Sequence, residues 1–187
     1  MNFENNNNIF QNKRIICLIG MMGVGKTTIG KKLAEILDYY YFDSDAEIID
    51  FTKKSIVEIF TQDGEKYFRK IEKNIIANLI QRKEKMVISL GGGAFMDKDT
   101  RKILHQNSII IWLDANIETL IARTKNSTHR PALKNKNKIK FLSELLSERK
   151  KIYEEADIKI DTNINDCKKT IDDIIKKLKL KLNILSI

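Results

Sequence analysis

The residues best equipped for chemistry lie near the start of the chain, where Gly20 to Thr27 read G-M-M-G-V-G-K-T. Glycines, a lysine and a hydroxyl at this spacing make a phosphate-binding loop when a strand precedes them and a helix follows. Both flanks fit. Ile15-Ile16-Cys17-Leu18-Ile19 is a short apolar run rich in β-branched residues, which reads as a buried strand. Behind the loop, Ile29, Leu33, Ile36 and Leu37 recur at helical spacing. In that setting the main-chain N–H groups of Gly23, Gly25 and Lys26 can converge on a polyphosphate at the positive end of a helix dipole. Lys26 would reach the β- and γ-phosphates, and the Thr27 hydroxyl would hold Mg²⁺. Gly23, Val24, Gly25, Lys26, Thr27 and Thr28 are thus expected to bind a nucleoside triphosphate, ATP, with Mg²⁺ as its companion ion.

Downstream, carboxylates, glycines and arginines stand where a second substrate could be held. Asp43 and Asp45 close a short strand, Tyr39 to Phe42. Two apart on a strand, they would share a face, Asp43 orienting a Mg²⁺-bound water and Asp45 accepting the proton of an attacking hydroxyl. Capping of the following helix is the competing role for either one. Gly91, Gly92 and Gly93 follow another strand candidate, Met86 to Leu90, in a chain with only eight glycines. Three together exceed what a tight turn needs and point to close approach of main chain to ligand. Lysine dominates the basic residues, so Arg69, Arg130 and Arg149 are expected where a planar two-pronged donor is required. Arg69 and Arg149 could each grip a carboxylate, or else form exposed helix ion pairs. Arg130, just before the only proline, Pro131, could swing over the phosphates when a polar loop closes and excludes water.

These groups need a scaffold that gathers strand ends. Ser55 caps a helical turn that stops at Asp63-Gly64, and a long amphipathic helix from Glu65 to about Arg82 turns Phe68, Ile71, Ile75, Ile76 and Leu79 inward. A helix over Asp97 to Gln106, a strand over Ser108 to Leu113 and a helix over Asn116 to Thr124 follow. Ile139 to about Glu155 is helical, Asp157 to Ile160 a strand, and Asn165 to about Leu180 a final amphipathic helix. The ending L-K-L-K-L-N-I-L-S-I either continues that helix or frays. Five short strands alternating with helices predict an α/β domain with a parallel sheet covered on both faces. Ligands then bind in the crevice beyond the carboxyl ends of the strands.

At 187 residues the chain suits one domain with a sizeable core. No apolar run approaches membrane-spanning length, and the lead-in M-N-F-E-N-N-N-N-I-F-Q-N-K has neither the basic nor the apolar region of a secretion signal. Cys17 and Cys167 show no paired or metal-ligand spacing, so a reducing, cytoplasmic setting is expected. The net charge of +9 fits scattered surface lysines together with steering of anionic ligands. Nucleic-acid binding would want aromatics among the basic residues, and none occurs from Lys125 to Lys140 or from Lys168 to Lys181. His105 and His129 read as surface residues. The expected partner is a small molecule, with no nucleic acid and no membrane, and the expected state is a monomer.

Taken together, G-M-M-G-V-G-K-T, D-S-D, D-G-E-K-Y-F-R-K-I-E, S-L-G-G-G-A, H-R-P-A-L and S-E-R-K-K-I-Y-E-E-A-D resemble the motifs of shikimate kinases, in that family's order and spacing, from about Lys13 to Asp161. Many enzymes share the phosphate loop, whereas F-R-K-I-E followed by L-G-G-G and R-P is far more specific. The resemblance implies a nucleoside-monophosphate-kinase-like fold of strand order 2-3-1-4-5, and transfer of the ATP γ-phosphoryl group, with Mg²⁺, to the 3-hydroxyl of shikimate. It implies that Asp45 holds the reacting hydroxyl, that Asp43 supports the Mg²⁺ water shell, and that Arg69, Arg149 and the main chain of Gly91, Gly92 and Gly93 receive the substrate. Phe60 and Phe68 would wall the pocket, Glu72 would steady Arg69, Arg130 would be the lid arginine, and Arg123 would lie beside the adenine. On this reading residues 1–12 form a disordered lead-in and 13–180 the kinase domain, with a substrate segment at about 44–80 and a lid at about 125–137, and 181–187 form a tail. Lys151 stands where the family usually has proline and Ala132 where it usually has leucine; neither change removes a group that the transfer needs. A gluconate or nucleoside-monophosphate kinase, a basic ATPase stimulated by nucleic acid, and a catalytically inactive scaffold are the alternatives.

Overall fold

The computed structural model describes residues 14–124, 138–164 and 166–184. Its strands are β1 (Ile15–Ile19), β2 (Tyr40–Asp43), β3 (Met86–Ser89), β4 (Ser108–Asp114) and β5 (Ile158–Asp161). They form one sheet in the order β2-β3-β1-β4-β5, every pair parallel, as the resemblance implies. Between them run helices α1 (Lys26–Leu37), α2 (Ser44–Thr52), α3 (Ile56–Glu58), α4 (Gly64–Ile80), α5 (Lys98–Asn107), α6 (Ile117–Thr124), α7 (Lys138–Tyr153) and α8 (Cys167–Ile184). Helix α8 therefore continues past Leu180 as far as Ile184, and 185–187 lie outside the described residues.

Burial explains the sequence pattern of the strands. All of β1 and β3 is buried, as is β4 up to its last residue, whereas β5 at the sheet edge alternates buried and exposed. A strand covered on both faces has no solvent side to mark with polar residues, so it reads as a continuous apolar run. Leu33 of α1, Leu104 of α5 and Ile174 of α8 close over Ile16, Leu18, Ile110 and Trp112 in one core. A smaller cluster, Ile48, Ile59, Phe68 and Ile71, joins α2, α4 and the π-helical turn Ile59–Asp63 that follows α3. At about 1.5–3 kcal/mol for each buried side chain of this size, that cluster can hold the α2–α4 segment against the sheet edge. Ser55 starts α3 with a full capping box, its hydroxyl accepting from the Glu58 N–H while the Glu58 carboxylate accepts from the Ser55 N–H.

Register brings the chemistry together. Ser89 of β3 pairs with Leu18 of β1 on one side and Asp43 of β2 on the other. The phosphate loop, the triple glycine and the two aspartates thus leave the sheet at one edge, the expected place for ligands. No helix among the described residues is long and apolar enough to cross a membrane.

Candidate active site

The loop between β1 and α1 forms one wall of a cleft of about 410 Å³. Gly23, Val24, Gly25, Lys26, Thr27 and Thr28 all line it, with Asp43, Asp45, Gly91, Gly92 and Arg123 opposite or beside them. Gly23 has φ 80°, and a Cβ there would stand 2.5 Å from the Thr124 methyl, so the loop's path excludes any side chain at that point. Lys26 donates from Nζ to the carbonyls of Gly20 (2.8 Å) and Met21 (3.1 Å), which holds the ammonium over the loop. Ser89 Oγ donates to the Lys26 carbonyl at 3.1 Å, fixing the first turn of α1 to β3. Arg123 donates to the Thr162 carbonyl at 2.6 Å and lines the same cleft next to Thr162 and Ile164.

The structure corrects one expectation about the acidic pair. Asp43 and Asp45 do not share a strand face, because β2 ends at Asp43 and α2 begins at Ser44. Asp43 is the N-cap of α2 and accepts the Asp45 N–H at 3.1 Å, and this cap turns the chain between the two carboxylates. Its other oxygen accepts from Thr27 Oγ at 3.0 Å and from the Tyr41 hydroxyl at 3.3 Å. A threonine hydroxyl and a carboxylate in contact are oxygen donors of the kind that suit a hard divalent cation. No group of three or more His, Cys, Asp or Glu residues among the described residues could hold a metal by itself. The donor set therefore fits Mg²⁺ that takes most of its ligands from phosphate and water.

Arg69 and Arg149 line a second cleft of about 400 Å³, together with Glu65, Glu72, Gly93 and Glu148. The triple glycine is the partition, with Gly91 and Gly92 lining the first cleft and Gly93 the second. A Cβ on Gly91 would stand 2.6 Å from Asp45 Oδ1 and 2.9 Å from Glu72 Oε1, one on Gly92 3.1 Å from the Arg149 guanidinium, and one on Gly93 2.6 Å from that of Arg69. The bare main chain admits four charged side chains to one place. Glu72, 3% exposed, receives Arg69 Nη1 at 2.6 Å on one oxygen, while its other oxygen is buried without a hydrogen-bond partner. Burial pushes its carboxyl up to about 7, against the pull of Arg69. Phe68 lies behind this cleft rather than in its lining: it is buried, with the Arg69 guanidinium 5.1 Å from its ring centroid. Phe60, partly exposed, sets its ring at 38° to that of Phe68, with the centroids 4.7 Å apart.

Arg130, with His129, Ala132 and the rest of 125–137, lies outside the described residues, as does the 1–12 lead-in. Other residues of the site carry no signal in the sequence. Ser44, fully buried between the two aspartates, accepts the Gly91 N–H at 2.8 Å. Thr162 reaches the Asp114 carbonyl at 2.9 Å, and Ile164, Asp166, Cys167 and Thr170 extend the first cleft toward α8. Their positions depend on β5 lying at the far side of the sheet, which no local pattern reveals.

A phosphate loop on a five-stranded parallel sheet of this order, opening on a cleft that meets paired arginines, defines a phosphotransferase of the nucleoside-monophosphate-kinase-like class. The family model for shikimate kinase matches residues 22–179. The shikimate kinase of Zymomonas mobilis is 42% identical over 165 residues, 88% of this chain and 93% of that protein. That of Persephonella marina is 40% identical, over 89% of this chain and 99% of the relative. A solved shikimate kinase from Acinetobacter baumannii, in complex with shikimate, superposes with a TM-score of 0.85 at 35% identity, covering 90% of this chain and 94% of that one. The chain belongs to the shikimate kinase family.

Proposed function

We infer that this chain is an ATP-dependent kinase that phosphorylates shikimate at its 3-hydroxyl, giving shikimate 3-phosphate and ADP. The observation that carries the reading is the Gly91–Gly93 partition, with the phosphate loop on one side and the Arg69–Arg149 cleft on the other. Asp45 lines the first cleft and faces Gly91 beside Glu72, at the junction of the two.

In this mechanism the guanidinium groups of Arg69 and Arg149 take the substrate carboxylate, and Glu72 aims Arg69. Asp45 accepts the proton of the 3-hydroxyl as that oxygen bonds to the γ-phosphorus and the bond to the bridging oxygen of ADP breaks. Lys26, Arg130 and the N–H groups of the loop offset charge on the phosphates, and Arg123 borders the base. Thr27, and Asp43 through water, would hold Mg²⁺, which would supply positive charge to offset that of the phosphates. With little covalent work to do, the protein contributes alignment and fixed charge. The chain acts on a small molecule as a cytoplasmic monomer, without nucleic acid.

Coupled measurement of ADP release tests this directly. Shikimate should give turnover, while quinate and gluconate give little; equal rates with gluconate, or ATP hydrolysis stimulated by nucleic acid but not by shikimate, would overturn the reading.

A further inference from the structure

Tyr153, the last residue of α7, is fully buried yet ends in a polar group. Its hydroxyl donates to the Gly92 carbonyl at 2.6 Å, a contact that spans 61 residues of sequence. Its ring lies 5.9 Å from that of Trp112 on β4, so the hydroxyl is delivered from the core and cannot wander. Arg149 is four residues earlier on the same helix and therefore on the same face. Burial pushes the Tyr153 phenol up, and the Arg149 guanidinium beside the hydroxyl pulls the other way. A phenol can donate to one group and accept from another at the same time. Here the two neighbours are the Gly92 carbonyl and Arg149, and that guanidinium also stands 3.1 Å from where a Gly92 Cβ would be.

The consequence for the partition follows from peptide geometry. A trans peptide is planar, so fixing the Gly92 carbonyl also fixes the direction of the Gly93 N–H, which points the opposite way. Glycine otherwise leaves such a peptide more freedom to rotate than any other residue does. The Leu90–Gly91 peptide, two earlier, is held from the other side, where Ser44 Oγ accepts the Gly91 N–H. The carbonyls of Gly91 and Gly93 accept the N–H groups of Ala94 and Met96, both at 3.0 Å, and the two remaining peptide contacts are made by buried hydroxyls, one from the aspartate side and one from the arginine side.

We propose that Tyr153 is a positioning residue for the acid-binding half of the site, its hydroxyl locking the Gly92 peptide and the Arg149 guanidinium into one preorganised unit. The inference rests on the shikimate kinase reading and deepens it: shikimate, but not ATP, depends on this hydroxyl. It acts through Gly92 and Arg149, without contacting the reacting atoms.

The test is Tyr153→Phe, which removes one oxygen and keeps the buried ring. The variant and the unaltered chain are assayed side by side with shikimate and ATP each varied, and the double variant with Arg149→Lys is added. The expected result is a KM for shikimate raised about tenfold, the scale of a buried carbonyl losing its partner, with the KM for ATP within about twofold and kcat within about threefold. Arg149→Lys should then cost less when combined with Tyr153→Phe than alone, because the two groups act as a unit. A shikimate KM unchanged by the substitution, a parallel rise in both KM values, or fully additive effects would each overturn the proposal. Absence of shikimate turnover in the unaltered chain would instead remove the reading on which it rests.

Discussion

Arg69 and Glu72 stand one turn apart on α4 with Nη1 2.6 Å from Oε2, yet Arg69 is open to the second cleft while Glu72 is almost wholly buried. The arginine can therefore meet a ligand only in the orientation that a carboxylate inside the protein dictates. The charge state of that carboxylate then becomes a control on substrate binding.

That control has a definite sign. Burial raises the Glu72 carboxyl from 4.5 to about 7, so it is charged above that value and neutral below it. Lowering the pH from 8 to 6 should weaken shikimate binding with a midpoint near 7, as the ion pair with Arg69 is lost. In Glu72→Gln this limb of the kcat/KM profile should vanish. For stability the direction is opposite. The folded chain holds the proton more tightly than the unfolded one, so Glu72's favourable contribution is complete below 4.5 and is lost as the pH rises through 7. Thermal melts of both proteins at pH 5 and pH 8 measure this, and an unchanged difference between them would refute it.

Arg69→Lys replaces a planar fork with a point charge at a site suited to bidentate contact. We expect the KM for shikimate to rise roughly 10–100-fold, about 1.4–2.8 kcal/mol, with ATP binding unchanged. Steady-state kinetics with each substrate varied decides the matter, and equal losses for both substrates would remove Arg69 from the acid-binding role.

Lys26→Ala should lower kcat at least ~10³-fold if, as proposed, the ammonium held over the phosphate loop offsets phosphate charge as it develops. Helix α1 tolerates alanine well, so circular dichroism should be unaltered. Substantial residual turnover would exclude Lys26 from the chemical step.

Asp43→Asn separates capping from cation support. The amide oxygen still caps α2, while the charge facing Thr27 is gone. The Mg²⁺ concentration for half-maximal rate should rise about 10–100-fold, as when an outer-sphere partner is removed. Titration of rate against Mg²⁺ measures it, with unchanged Mg²⁺ dependence as the contrary result.

Gly91→Ala would set a methyl against Asp45 and Glu72. Those are ends of side chains and can swing away, so the fold should survive while the hydroxyl acceptor is displaced. A kcat loss of about 10–100-fold with an intact melting transition is the expected outcome, given how steeply alignment by an ångström affects rate.

Much of this molecule was legible in its sequence, for physical reasons that differ by region. The strand–loop–helix around Gly23 to Thr28 is local, so propensity and glycine placement suffice. The central strands announce themselves as unbroken apolar runs because helices cover both their faces. The short segment D-S-D misleads because the chain changes from strand to helix within it, and a pattern of two apart carries no information about where that change falls. The triple glycine was readable as unusual, but its steric reason lies in Asp45, Glu72, Arg149 and Arg69, which arrive from three different helices. The tasks of Ser44, Thr162 and Tyr153 are set by distant strand and helix neighbours, and a lone hydroxyl in a sequence has no period to betray it.

Because the divider between the two clefts is a single strand of main chain without side chains, the molecule presents what is nearly one continuous trough with oppositely specialised ends. An inhibitor joining a polyphosphate mimic to a ring acid by a very short linker could occupy both ends at once and gain by chelate avidity. Enlarging the divider by one methyl group would be the simplest route by which an enzyme of this build escapes such a bisubstrate compound, and it would do so only at the expense of its own turnover.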